Sequence, residues 1–168
     1  MGIEPAKQRT VYLFDFGMAR KFLSSDGKKR PVREKPGFRG TVRYVSITAH
    51  QGLELGPKDD LISMFYSIIE LVKGGLPWSR TAGLKQVYEL KQKFNYDFLS
   101  ENLPASIKKF IMELEDLEGL DDPNYKSLQA HLKQALLEVS HYGNAKFDWE
   151  TDYATVKEEN KSFSKCIV

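Results

Sequence analysis

With 168 residues, 41% of them hydrophobic and 29% charged, the chain is long enough to bury one core and carries no compositional bias toward disorder. No apolar run approaches the length that crosses a bilayer, no basic region followed by an apolar stretch opens the chain, and the single Cys166 can neither close an intramolecular disulfide nor supply the several ligands of a structural zinc site. The expectation is a soluble protein of a reducing compartment, cytoplasmic or nuclear, with no membrane partner. Lipid anchoring is not expected either: position six is Ala6 rather than Ser or Thr, and Cys166-Ile167-Val168 is one residue short of a prenylation box.

Taken in chain order, the first element is the apolar run Val11-Tyr12-Leu13-Phe14, of strand character, which delivers Asp15 and then Gly17 where the backbone must turn. A carboxylate at a strand end can coordinate Mg²⁺ that bridges nucleotide phosphates, and Phe16 packing inward would fix where it points. Alone, the tripeptide reads first as a strand followed by an Asx turn. Net charge is only +2, yet residues 20–43 hold nine basic residues against Asp26 and Glu34, a local excess of +7 that leaves −5 for the remainder. Such a segment is a solvated loop or a site for acidic or phosphorylated protein. Its only aromatics are Phe22 and Phe38, so the stacking platform of a single-strand binder is missing and nucleic acid is not expected as a partner.

Ser24-Ser25-Asp26-Gly27 reads as a turn, and Pro31, Pro36, Gly37 and Gly40 make residues 22–44 one long loop. Residues 41–50 return to apolar alternation and lead into a short helical piece; His50 reads as a satisfied structural histidine. Asp59-Asp60 are candidate N-caps of a helix running to Lys73 before the stop pair Gly74-Gly75. Apolar residues on nearly every face make this helix the expected buried post of the molecule. Leu76-Pro77-Trp78 breaks it with a large apolar anchor. Three amphipathic helices follow: Leu84, Val87, Tyr88, Lys91 and Phe94 share one stripe; Ile107, Phe110, Ile111, Leu114 and Leu117 form a second after Pro104; Tyr125, Leu128, Leu132, Leu136 and Val139 form the third. None shows a metal-ligand spacing or a nucleophile with a base nearby. From Thr151 the composition turns polar, as in a frayed tail.

The order of Asp15-Phe16-Gly17-Met18-Ala19-Arg20, a loop, Gly40-Thr41-Val42-Arg43-Tyr44-Val45-Ser46-Ile47-Thr48-Ala49-His50, Asp59-Asp60-Leu61-Ile62-Ser63 and Leu76-Pro77-Trp78 resembles the second half of a protein kinase, and more narrowly the casein kinase 1 family. Ser46 to His50 match that family's Ser-Ile-Asn-Ala-His, with Thr48 where Asn is expected. Phe38 to Tyr44, and Phe65 after Ser63-Met64, are closest to its tau tubulin kinase branch, and Pro123-Asn124-Tyr125 and Phe147-Asp148-Trp149-Glu150 are similar to its closing motifs. The resemblance covers residues 1–150 and leaves 151–168 as tail. It implies a mainly α fold, the large C-terminal lobe of a kinase, incomplete and lacking the N-terminal lobe.

By the same resemblance Asp15, with Phe16 and Gly17, would be the Mg²⁺-binding element; Arg20, Arg39 and Arg43 would form a pocket for substrates acidic or phosphorylated near the target hydroxyl; and Asp60 would bond the backbone of the catalytic loop. ATP and Mg²⁺ would act only in a full-length parent, because the glycine-rich loop, the phosphate-gripping lysine, its helix glutamate and the His-Arg-Asp loop with its base are not in this sequence. Met1 then resembles an internal methionine of a longer kinase, beginning just past the base. The expected function is part of a serine/threonine kinase, inactive alone; the alternative is a noncatalytic binding module for acidic or phosphorylated partners.

Overall fold

The computed structural model describes residues 10–139. The motif at Phe147 to Glu150 and the polar tail lie outside the described residues. Two compact units divide after Glu34.

In the first unit the described residues hold a 3-10 turn, Phe16–Met18, and one antiparallel bridge between Leu23 and Lys29. The bridge closes the turn expected at residues 24–27: the Ser24 amide donates to Lys28 O and the Arg30 amide to Phe22 O, both at 2.8 Å. Ser24 Oγ also donates to Asp26, and that bond is the main cause of a lowered Asp26 pKa. Residues 11–14, expected as a strand, are not one. Val11, Leu13 and Phe14 are exposed, and a strand with no partner among the described residues has no ladder to satisfy its backbone.

The second unit is helical, with no strand among the described residues: α1 Ile47–His50, α2 Pro57–Lys73, α3 Leu84–Lys93, α4 Tyr96–Leu99, α5 Ala105–Glu115 and α6 Tyr125–Glu138. The stripes expected for α3 and α5 are buried or half-buried except at Leu84, whereas in the α6 stripe Leu128 is buried and Leu132 half-buried but Tyr125, Leu136 and Val139 are exposed. The short α4 was not anticipated; it is one turn, started by Asn95 Oδ1 accepting from the Phe98 amide at 3.0 Å. Residues 41–44, the end of the loop expected over 22–44, form a turn, the Tyr44 and Val45 amides both donating to Thr41 O.

Helix α2 starts earlier than Asp59 and Asp60 imply. Pro57 takes the first helical position, where a missing N–H costs nothing, and Asp59 reaches back from N3 to accept the Gly56 amide at 2.8 Å. Nor is α2 buried all round. Ile62, Phe65, Tyr66 and Ile69 enter the core, but Leu71 is 85% exposed and Val72 faces solvent beside it. Helix α5 packs against α2, α4 and α6; its opposite face, with Lys108, Lys109 and Met112, is exposed, while it buries Ile107, Phe110, Ile111 and Leu114. Around them close Trp78, Val87, Leu99, Leu128 and Ala135, with Tyr66 and Trp78 edge to face at 5.2 Å between centroids. Two polar pins join α5 to α6: Ser106 donates its amide and hydroxyl to Glu138, while Glu113 accepts from Ser127 Oγ at 2.6 Å and meets His131 Nε2 at 3.0 Å.

Candidate functional site

In the first unit Asp15 sits in the left-handed region (φ 64°, ψ 68°), which costs a residue with a Cβ on the order of 1 kcal/mol. Its Oδ1 accepts from the Gly17 amide at 3.3 Å and so caps the turn; a Cβ at residue 17 would crowd that oxygen at 3.3 Å. Asp15 and Arg20 are both exposed. Phe16, expected to pack inward, is exposed as well. Among the described residues no group of three or more His, Cys, Asp or Glu side chains is placed to hold a metal. Mg²⁺ usually takes one or two carboxylates together with water and phosphate oxygens, so Asp15 fits as one ligand of such an ion and does not by itself form a site.

Arg39, Arg43 and Asp60 belong to the second unit. Gly40 introduces the segment at φ 104°, and a Cβ there would come within 2.6 Å of Val45 Cγ1, so this turn requires glycine. Arg39 is exposed. Arg43 is tied down. Its Nη1 meets Glu70 Oε1 at 3.2 Å and its Nη2 donates to Ser79 O at 2.9 Å, while its own carbonyl accepts the Trp78 indole N–H at 2.8 Å. Glu70 also accepts from Ser79 Oγ at 3.0 Å and from the Tyr44 hydroxyl, and the Ser79 hydroxyl accepts the Leu76 amide. These partners, Tyr44 first, hold the Glu70 carboxyl below its ordinary range. A shallow cleft of about 380 Å³ opens over this network, lined by Thr41, Arg43, Tyr44, Ser79, Thr81 and Val87 among others.

Beneath it lies a residue whose role sequence reasoning missed. Lys91 is 2% exposed; its Nζ donates to Val42 O at 2.8 Å and Val45 O at 2.5 Å, and it sits 5.0 Å and 5.3 Å from the ring centroids of Tyr66 and Trp78. Burial pushes its pKa down to about 7. The signal was present, since Lys91 occupies an apolar position of the α3 stripe, where a lysine is buried only with partners to satisfy it. His50 is not the satisfied histidine expected. Its ring lies between Phe38 and Tyr88, with centroids 5.9 Å and 5.6 Å away, and neither buried nitrogen has a hydrogen-bond partner among the described residues. Burial, and then the nearby Lys91 charge, lower its pKa to about 4, so the ring is neutral at physiological pH. Of the acidic pair, Asp59 is the buried member, with Oδ1 unpartnered among the described residues; Asp60 is exposed, its pKa raised first by desolvation and then by Asp59.

No protein-family model matches the chain. Individual relatives do. A "Probable serine/threonine-protein kinase" of Dictyostelium discoideum is 42% identical over 150 residues, which is 89% of this chain and 30% of that protein. Serine/threonine-protein kinase spe-6 of Caenorhabditis elegans is 36% identical over 152 residues, 86% of this chain and 40% of its own length. A "Probable casein kinase I homolog" of Encephalitozoon cuniculi is 33% identical over 149 residues, covering 83% and 48%. The chain thus spans less than half the length of these relatives. Over most of its own length it is homologous to proteins named as serine/threonine kinases and casein kinase I homologues, and its helical body has the fold of part of a kinase's large C-terminal lobe.

Proposed function

We propose that this chain is the substrate-side part of a serine/threonine protein kinase, nearest the tau tubulin kinase branch, whose full-length form transfers the ATP γ-phosphate to protein hydroxyls near acidic or phosphorylated residues. The observation that carries the reading is homology to proteins named as serine/threonine kinases across most of this chain. In the full-length form Asp15 would hold one Mg²⁺, which with ATP supplies the phosphoryl chemistry, and Asp60 would brace the catalytic loop. Arg20, Arg39 and Arg43 would draw anionic side chains to the substrate segment, because a guanidinium binds phosphate or carboxylate through paired charge-assisted bonds. The block from Thr41 to Ala49 would be the platform on which substrate lies, held by Trp78, Glu70 and Lys91.

Alone, the chain supplies neither the lysine that grips phosphates nor a general base, and positioning provides nearly all catalysis in this reaction. Incubated with radiolabelled ATP, Mg²⁺ and casein, it should transfer no label. Label transfer that disappears on Asp15→Asn would overturn that reading. The basic excess over residues 20–43 favours one second reading, a noncatalytic module that captures acidic partners; phosphopeptide binding by a naturally produced short form of this chain would favour it.

A further inference from the structure

We infer that Glu70 is a specificity-determining residue, a resident anion that occupies Arg43 and that an incoming phosphate or carboxylate must displace to enter the cleft. The inference rests on the acidic-substrate reading and adds what limits it. Among the described residues Arg43 is the one guanidinium lining the cleft, and its two terminal nitrogens are already committed to Glu70 and Ser79 O. Glu70 does not drift at the surface: Ser79 Oγ and the Tyr44 hydroxyl fix both carboxylate oxygens, and Ser79 is fixed in turn by the Leu76 amide. A carboxylate held this way is ionised at neutral pH, so Arg43 and Glu70 together present almost no net charge to an approaching anion. Arg43 nonetheless keeps a 43% exposed side chain, and its pairing with Glu70 uses one nitrogen at 3.2 Å rather than a two-pronged fork. A phosphate offers a better fork, but at this distance it meets the Glu70 charge as well. Glu70 would therefore set how strongly the cleft discriminates for phosphate, letting a dianionic group compete where a single carboxylate does not.

The test is fluorescence anisotropy of the full chain with a phosphoserine peptide and its unphosphorylated twin. Glu70→Gln should tighten the phosphopeptide roughly tenfold and leave the twin unchanged, and adding Arg43→Ala should abolish the gain. A residue that merely braced the loop would do the opposite, weakening binding when altered. Unchanged or weaker phosphopeptide binding by Glu70→Gln, with its helical circular dichroism intact, overturns the inference; if Arg43→Ala still abolishes wild-type binding, the acidic-substrate reading survives that failure. Indifference of binding to Arg43→Ala removes both. Should Glu70→Gln not fold, the unaltered chain still decides: with Glu70 in place it should bind the phosphoserine peptide at least about tenfold more tightly than the same peptide carrying glutamate at that position, and equal binding of the two overturns the inference as well.

Discussion

Lys91 shows how one residue can join a loop to a core. Its ammonium stands on two backbone carbonyls and two aromatic faces, with no carboxylate among the partners described above. Desolvation without a counter-charge is what brings its pKa to about 7, against roughly 10.4 for a lysine in an unfolded chain. Between those values the unfolded chain binds the extra proton, so stability rises with pH across the window and the folding penalty is greatest below about 7. A neutral amine still has two N–H donors, enough for both Val42 O and Val45 O, so deprotonation does not orphan the carbonyls. Above about 10 the trend reverses, because burial raises the Tyr66 and Tyr96 hydroxyls and the folded state resists their ionisation. Urea midpoints should therefore climb from pH 7 to about 9.5. Lys91→Met should flatten that climb while costing about 1–3 kcal/mol at pH 7 for the carbonyls left bare. A climb of equal slope in the variant would place the titrating group elsewhere.

At the scale of elements, the contrast between a core position and the last turn of α2 can be put to a direct measurement. Phe110 of α5 is fully buried among residues of the shared core, and Phe110→Ala should cost about 3–5 kcal/mol. Leu71 of α2 points to solvent, and Leu71→Ala should stay within about 0.5 kcal/mol. Comparable losses from the two, in thermal melts, would mean that the last turn of α2 is packed after all. The stripes of α3 and α5 were largely legible because a 3.6-residue period reports a buried face directly, and the turn at residues 24–27 because Asp and Gly there have local reasons to turn; the α6 stripe was half wrong, with Ala135 buried and Tyr125 and Leu136 exposed. What failed was non-local, save the one-turn α4, whose Asn95 cap is a local signal. Hydropathy alone could not say that Leu71 and Val72 lie past the last packed turn, that residues 11–14 have no partner strand among the described residues, or that Asn95 would start a one-turn helix. Among the proposed site residues, Arg43 could be singled out from its motif, but its pairing with Glu70 spans 27 residues and joins a turn to a helix, a proximity no local pattern records.

For the molecule as a whole, the two units differ in what holds them. The second has a core that draws on every helix from α2 to α6, with polar pins between α5 and α6 and the Lys91 bridge from α3 to the turn before α1. The first, over residues 10–34, buries no side chain fully: its described hydrogen bonds close a 3-10 turn and one bridge, and Val11, Leu13, Phe14, Phe16 and Met18 lie open to water. Amides protected only by local turns open at little cost, whereas those of core helices open only with much of the unit. Hydrogen exchange at pH 7 should therefore be fast throughout residues 10–34 and slowest in α2 and α5 at residues 62–69 and 107–114. The exposed apolar run should also bind a hydrophobic dye and promote association at high concentration, effects that Leu13→Lys with Phe14→Lys would suppress without changing exchange in the helices. Exchange across residues 10–34 as slow as in α5 would mean that the first unit has a stabilising core of its own, and its open apolar residues would then need another explanation.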